Sequence, residues 1–275
     1  MSLQRPWLEW LATANAAPQR TGTRDPSVLL QAAHARRCSI EYQPVYEMSP
    51  ESPDGEVIGR VLAWRARARF RDAAGHFLST SAVFAALHQR PALLFSVELD
   101  LKRMALEQAP PTGQLLVALD ADSYAVGAGS SGNAFDRLLC NRSRLVVEIC
   151  ENRPVTDLAR VDALLRALAS RKIPVALGAS TPAMADGHAL LATADWVRLR
   201  LPDEPGALRE PRILRRLAAL ASAAGDAGVT TCVSGVRDAA QLATVRALGF
   251  SAACGPVFSC QEASSLAPRH AGGVA

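Results

Sequence analysis

The 275-residue sequence predicts an α/β fold: a TIM-barrel-like (β/α)8 barrel in which one strand runs against the others. Three observations carry that expectation. Eight short runs are rich in apolar and β-branched residues, amphipathic helical runs separate most of them, and the first two β-runs are joined by a segment too short for a helix. A helix between consecutive strands makes them parallel neighbours, and eight strands suffice to close a sheet on itself. With 49% apolar residues, the chain can furnish one large core of this kind.

Residues 1–26 form a mixed appendage, in which PWLEWLATA suits a short helix and QRTGTRDP a loop reaching an N-cap at Asp25. SVLLQAAHARR then has helical spacing. The β-runs follow: SIEYQPVY, RVLAWRARARF, QLLVAL, RLVVEIC, IPVALG, WVRLRL, VTTCVSGV and AACGPVF. Between them, FSVELDLKRMALEQ, LARVDALLRALASR, ILRRLAALASAAGDAG and AAQLATVRALG repeat apolar residues every three or four positions. EMSPESPDGEVIG, between Tyr46 and Arg60, is rich in Pro, Gly and charge, so the first two strands are expected to pair as an antiparallel hairpin. The barrel domain is expected over residues 27–260, and the small polar tail over 261–275 is expected to be disordered.

Composition narrows the partners. The net charge of +4 is spread along arginine-bearing helices and aromatics make up only 5%, which argues against nucleic acid. No run of about 18 apolar residues occurs, so no membrane span is expected. Six cysteines without CxxC spacing fit reduced thiols in a cytoplasmic protein and no Cys-based zinc site. The apolar N-terminal stretch is interrupted by Glu9, so no export signal is visible.

GAGSSG, residues 127–132, fits G-x-G-x-x-G, with Glu148 in the place of a ribose-binding acid. The dinucleotide fold needs that turn directly after a strand. Here the polar DADSYAV intervenes after Leu119, so a flexible Gly/Ser loop is expected instead.

EYQPVYEMSPESPDGEVIG, followed by a strand carrying an arginine, resembles the opening of an EAL domain, the bacterial family that hydrolyses cyclic di-GMP. LVVEICE resembles that family's lEiTE, VSGVRDAAQLATVRALGF its aEGVEt.eql..l..lG, and CGPVFS its QGylfS, all in order across residues 27–260. The resemblance implies a barrel with a reversed strand. In active members it also implies two divalent metals at the C-terminal mouth, held by Glu, Asn and Asp side chains, activating water for phosphodiester attack.

Carried onto this chain, that pattern is largely replaced. Glu-Ala-Leu falls on Val61, Leu62 and Ala63; the third-strand Asn on Ala118; the Asp pair and aromatic of DDFG on Gly178, Ala179 and Ser180. The Lys and Asp of vKiD fall on Arg198 and Arg200, the glutamates of EGVE on Ser234 and Arg237, and the Gln of QGy on Cys254. Glu148 alone is kept as a remnant ligand position. No catalytic residue is assigned and no Mg²⁺ or Mn²⁺ cofactor is expected, because a hard dication needs several oxygen ligands in fixed geometry.

Gln43, Arg65, Arg198 and Arg237 are the candidate nucleotide contacts, since an amide suits a guanine edge and a guanidinium a phosphate. Each also has a plainer reading. Gln43 can satisfy backbone groups, Arg65, Arg67 and Arg69 can form one solvated or helix-packed stripe, and Glu148 can pair with Arg198, Arg200 or Arg237. The reading preferred from the sequence is a catalytically inactive regulatory protein that binds a protein partner, with a homodimer left open. A non-hydrolysing cyclic di-GMP receptor is the alternative. An active hydrolase would need further acids near Glu148, of which Asp120, Asp122 and Glu151 are nearest in sequence. On the preferred reading, Glu148→Ala is expected to leave any in vivo phenotype unchanged, because there is no metal to lose.

Overall fold

A computed structural model describes residues 25–48, 59–129, 132–149, 158–180, 194–202 and 206–258. The expectations for residues 1–24 and for the tail from 261 onward lie outside the described residues.

The chain enters through α1 (Pro26–His34), whose first turn is capped by Asp25, its carboxylate accepting from Ser27 N–H at 2.9 Å. β1 (Cys38–Glu47) and β2 (Val61–Arg71) form the expected antiparallel hairpin, with Gln43 opposite Arg65. β3 (Phe77–Leu78), α2 (Thr80–Leu87) and α3 (Pro91–Glu107) follow. Next come β4 (Gln114–Leu119), α4 (Ala121–Val126), β5 (Ala128–Gly129), β6 (Gly132–Asn133) and α5 (Ala134–Leu139). β7 (Leu145–Ile149), α6 (Leu158–Ser170), β8 (Val175–Ser180) and β9 (Trp196–Arg200) continue the alternation. α7 (Pro211–Ala227), β10 (Thr230–Ser234), α8 (Ala239–Ala247) and β11 (Ala252–Cys254) complete it.

The strand order is β1-β11-β10-β9-β8-β7-β4-β2, and pairing of β1 with β2 closes the barrel. β1 is antiparallel to both neighbours, while the other barrel pairings are parallel. This is the reversed-strand barrel expected from the short first connection.

Strand alternation sorts side chains between two cores. Leu115, Val117, Leu145, Val147, Leu177, Val197, Leu199 and Val233 face the helices. Val45, Ala63, Leu116, Val146, Ala176, Trp196, Cys232, Ala252 and Cys254 pack together as a second cluster, the lumen plug. Their mostly small side chains leave room for the one large residue, Trp196, which is 4% exposed. A third cluster packs the far end of the hairpin, through Phe70, against Leu29, Phe84 and Leu94 of α1, α2 and α3.

The Gly/Ser segment is not a dinucleotide turn. α4 separates β4 from Gly127, and the expected loop is a small ladder in which Ala128 pairs with Asn133. Asn133 caps α5, accepting from Phe135 N–H at 3.0 Å, and its amide donates to Tyr124 O at 2.7 Å. A Cβ on Gly127 would lie 2.9 Å from Asn133 Oδ1 and from the Phe95 ring, so that glycine serves packing.

Candidate functional site

Register brings the strand-end residues into one layer at the C-terminal mouth. Ala118 lies beside Glu148, Glu148 beside Ala176, Gly178 beside Arg198, Arg198 beside Cys232, and Ser234 beside Cys254. Arg65, on β2, faces the same space. Val61 opens β2 opposite Tyr46, four residues before Arg65 and therefore about 13 Å away along the strand.

Glu148 is the centre of this layer and its side chain is fully buried. Arg65 Nε donates to Glu148 Oε2 at 2.8 Å, and Arg198 Nε donates to Glu148 Oε1. Arg198 Nη1 also donates to Ser234 Oγ at 2.9 Å, and Ser234 Oγ donates to Leu199 O at 3.0 Å. Burial by itself would raise the Glu148 pKa. The charges of Arg198 and Arg65, with their hydrogen bonds, outweigh it and hold the carboxyl down at about 2. Glu148 is thus an ionised carboxylate whose two oxygens are both taken by guanidinium groups.

The pairing expected for Glu148 is present, but one partner differs from those named from the sequence. Arg198 is joined by Arg65 from β2, whereas Arg200 and Arg237 are exposed and lie outside this triad. Arg237 stands in the turn before α8, where its backbone N–H donates to Gln241 Oε1 at 2.9 Å. Gln43 is half-buried beside Arg65, and among the described residues its side chain forms no hydrogen bond. The candidate nucleotide contacts therefore separate: Arg65 and Arg198 converge on Glu148, Gln43 borders them, and Arg237 does not join them.

Arg67, two positions beyond Arg65 on the same face, was read from the sequence only as part of a stripe. It is half-buried, and among the described residues its guanidinium forms no hydrogen bond or ion pair. Burial lowers its pKa, and the neighbouring Arg65 and Arg69 charges lower it further. Below the triad, the Cys254 thiol is held under its ordinary range by a hydrogen bond from Cys232 and by the Arg65 and Arg198 charges, against the effect of burial. The Cys232 thiol is raised by that bond and by burial.

Among the described residues, those around Glu148 do not supply the oxygen ligands that the Mg²⁺ or Mn²⁺ pair implied by the resemblance would need. Both carboxylate oxygens accept from cations, and the neighbouring strand ends carry Ala118, Gly178 and Ser234. A Cβ on Gly178 would lie 2.9 Å from Arg198 Nη2 and 3.0 Å from Glu148 Oε1. The guanidinium of Arg198 thus occupies the space that a side chain at 178 would need. Gly178→Asp is accordingly expected to displace Arg198 and destabilise the fold by about 1–3 kcal/mol. Urea unfolding checks this, and a variant as stable as the parent would mean that the mouth has slack.

Asp120 and Asp122, the acids nearest in sequence for a rearranged hydrolase, engage His88 and Arg160. Glu151 lies outside the described residues.

No curated protein matches the chain. Among solved structures, an EAL domain protein from Listeria monocytogenes is 14% identical with a TM-score of 0.62, covering 88% of this chain and 97% of its own. The Bacillus subtilis YkuI protein, solved with cyclic di-GMP and calcium, is 17% identical with a TM-score of 0.66, covering 84% of this chain and 56% of its own. The FimX EAL domain from Pseudomonas aeruginosa, bound to cyclic di-GMP, is 18% identical with a TM-score of 0.61, covering 84% of this chain and 94% of its own. At such identities the likeness is one of fold. The EAL domain family model, however, matches residues 27–261, nearly the whole barrel with its reversed strand and its buried strand-end glutamate, and the chain belongs to the EAL domain family.

Proposed function

We propose that this EAL barrel is a catalytically inactive, cytoplasmic regulatory protein that acts through a protein partner in cyclic di-GMP-related signalling. The observation that carries the reading is the Arg65–Glu148–Arg198 triad. Two-metal hydrolysis requires a cluster of oxygen ligands around both ions and an open path for water. In this mouth the one retained carboxylate is neutralised from both sides by arginines, and the Gly178 position is closed by Arg198. The same triad engages two of the four candidate nucleotide contacts, which favours a protein ligand over a nucleotide. The N-terminal segment with Trp7 and Trp10, a candidate docking element, lies outside the described residues.

One observation favours a second reading, a receptor that binds cyclic di-GMP without cleaving it. Arg67 offers a guanidinium at the mouth with no acceptor of its own among the described residues, and a phosphodiester would supply one. YkuI and FimX were solved with cyclic di-GMP bound.

Calorimetric titration with cyclic di-GMP, with and without Mg²⁺ or Mn²⁺, followed by chromatography of the nucleotide, separates these readings. The expected result is intact nucleotide and no heat. Metal-dependent cleavage would overturn the inactive reading. Metal-independent binding of intact nucleotide, lost in Arg67→Ala, would select the receptor.

A further inference from the structure

We propose that His88, Asp120 and Asp122 form a binding site for one Zn²⁺-type transition-metal dication, separate from the mouth triad and independent of the functional reading above. His88 follows the last turn of α2, and its ring nitrogen Nδ1 lies 2.7 Å from Phe84 O. A carbonyl only accepts, so the proton is on Nδ1. Nε2 then faces Asp120 Oδ2 at 2.9 Å and Asp122 Oδ2 at 3.9 Å. As the structure stands Nε2 donates its own proton to the Asp120 carboxylate; a dication would displace that proton while Nδ1–H stays held by the Phe84 carbonyl, the arrangement that orients a metal-binding imidazole.

The carboxylates are oriented in the same way. Asp120 caps α4, its Oδ1 accepting from Asp122 N–H at 2.8 Å and Ser123 N–H at 3.2 Å. Asp122 Oδ1 accepts from Arg160 Nη1 at 2.7 Å. Each acid therefore has one oxygen held by the protein and turns the other toward His88. Asp122 Oδ2 is too far from Nε2 for a hydrogen bond. An imidazolium proton could serve Asp120 but would leave Asp122 Oδ2 unused, whereas a cation between the three atoms serves all of them.

The metric fits a small ion. Bonds of about 2.0–2.1 Å to N and O place two ligands of a tetrahedron about 3.3 Å apart. The separations of 2.9 and 3.9 Å bracket that value, and all three donor atoms lie within 4.8 Å of one another. Two carboxylates and a neutral imidazole offer a dication two negative charges, one of them shared with the Arg160 guanidinium at 2.7 Å from Asp122. Nearby, Lys102 Nζ already neutralises Glu98 at 2.6 Å. The His88 and Asp120 side chains are 2% and 5% exposed and that of Asp122 is 19% exposed, so an ion enters from the Asp122 side and keeps a water there as fourth ligand. Imidazole with carboxylate favours Zn²⁺, or Co²⁺ as a spectroscopic substitute, over Mg²⁺. The ion would tie the end of α2 to the turn between β4 and α4.

The full chain, freed of metal with EDTA and desalted, is titrated with Zn²⁺ by calorimetry. One equivalent bound at micromolar affinity or tighter is expected, lost in His88→Gln and weakened by at least about 10-fold in Asp122→Asn. Cysteines elsewhere can also take Zn²⁺, so dependence on His88 is the criterion. Should His88→Gln fail to fold, long-range ¹H–¹⁵N spectra of the parent chain give the same answer, because Zn²⁺ coordination shifts the His88 Nε2 resonance and leaves Nδ1 protonated. Zn²⁺ binding that persists unchanged in His88→Gln, or a His88 Nε2 signal unmoved at saturating Zn²⁺, overturns the proposal and makes His88 an imidazolium partner of Asp120.

Discussion

Glu148→Gln is expected to lower the unfolding free energy by about 3–5 kcal/mol, because it removes the buried acid that two largely buried arginines share. Seen as an orphaned metal ligand, Glu148 would be replaceable without consequence. Its place between Arg65 and Arg198 makes it a determinant of stability instead. The effect is also pH-dependent with a definite sign. The folded-state pKa is depressed to about 2 although burial opposes it, because Arg198 and Arg65 stabilise the ionised form. The contribution is therefore complete above the ordinary carboxylate range and is lost as the pH falls from about 5 toward 2. Urea unfolding of parent and variant at pH 7 and at pH 3 measures both: the gap between them should narrow in acid. A gap below 1 kcal/mol at pH 7 would mean that the triad is solvated and contributes little. Replacing Arg65, Glu148 and Arg198 together by apolar residues is expected to recover most of the loss, since no buried charge then lacks a partner.

Trp196→Ala is expected to cost a further 3–5 kcal/mol. Trp196 is the largest side chain in the lumen cluster, whose other members, Val45, Ala63, Leu116, Val146, Ala176, Cys232, Ala252 and Cys254, are mostly small. Such small residues cannot collapse into the space it leaves, because each is fixed on a hydrogen-bonded strand, and the cost of a cavity grows with the volume that stays empty. Equilibrium denaturation reads the change directly. Trp196→Phe, which keeps most of the volume, should retain more than half of the lost stability. A near-neutral Trp196→Ala would show that the barrel can contract around the gap.

The pattern of elements was legible because it rests on local rules. Period-two and period-3.6 apolar repeats separated strands from helices, and a connection of proline, glycine and charge between Tyr46 and Arg60 left room only for a hairpin, which reversed β1. The intervening polar segment after Leu119 likewise dismissed the glycine motif, and α4 now occupies it. The residue types at the strand ends could be placed on the family pattern one by one. Which of them touch could not. Arg65, Arg67 and Arg69 share one face of β2 by alternation, yet they meet different fates: Arg65 reaches Glu148, Arg69 pairs with Glu41, and Arg67 is left without an acceptor among the described residues.

The alternation of strands and helices, the reversal of the first strand and the replacement of strand-end metal ligands by Ala118, Gly178 and Ser234 were thus determined by the sequence alone, since each depends on neighbours along the chain. Tertiary structure alone decided the rest. Arg65 meets Glu148 across 83 positions, Arg198 meets it across 50, and His88 meets Asp120 across 32. These contacts depend on strand register and barrel closure, which bring side chains together at distances no periodicity along the chain encodes.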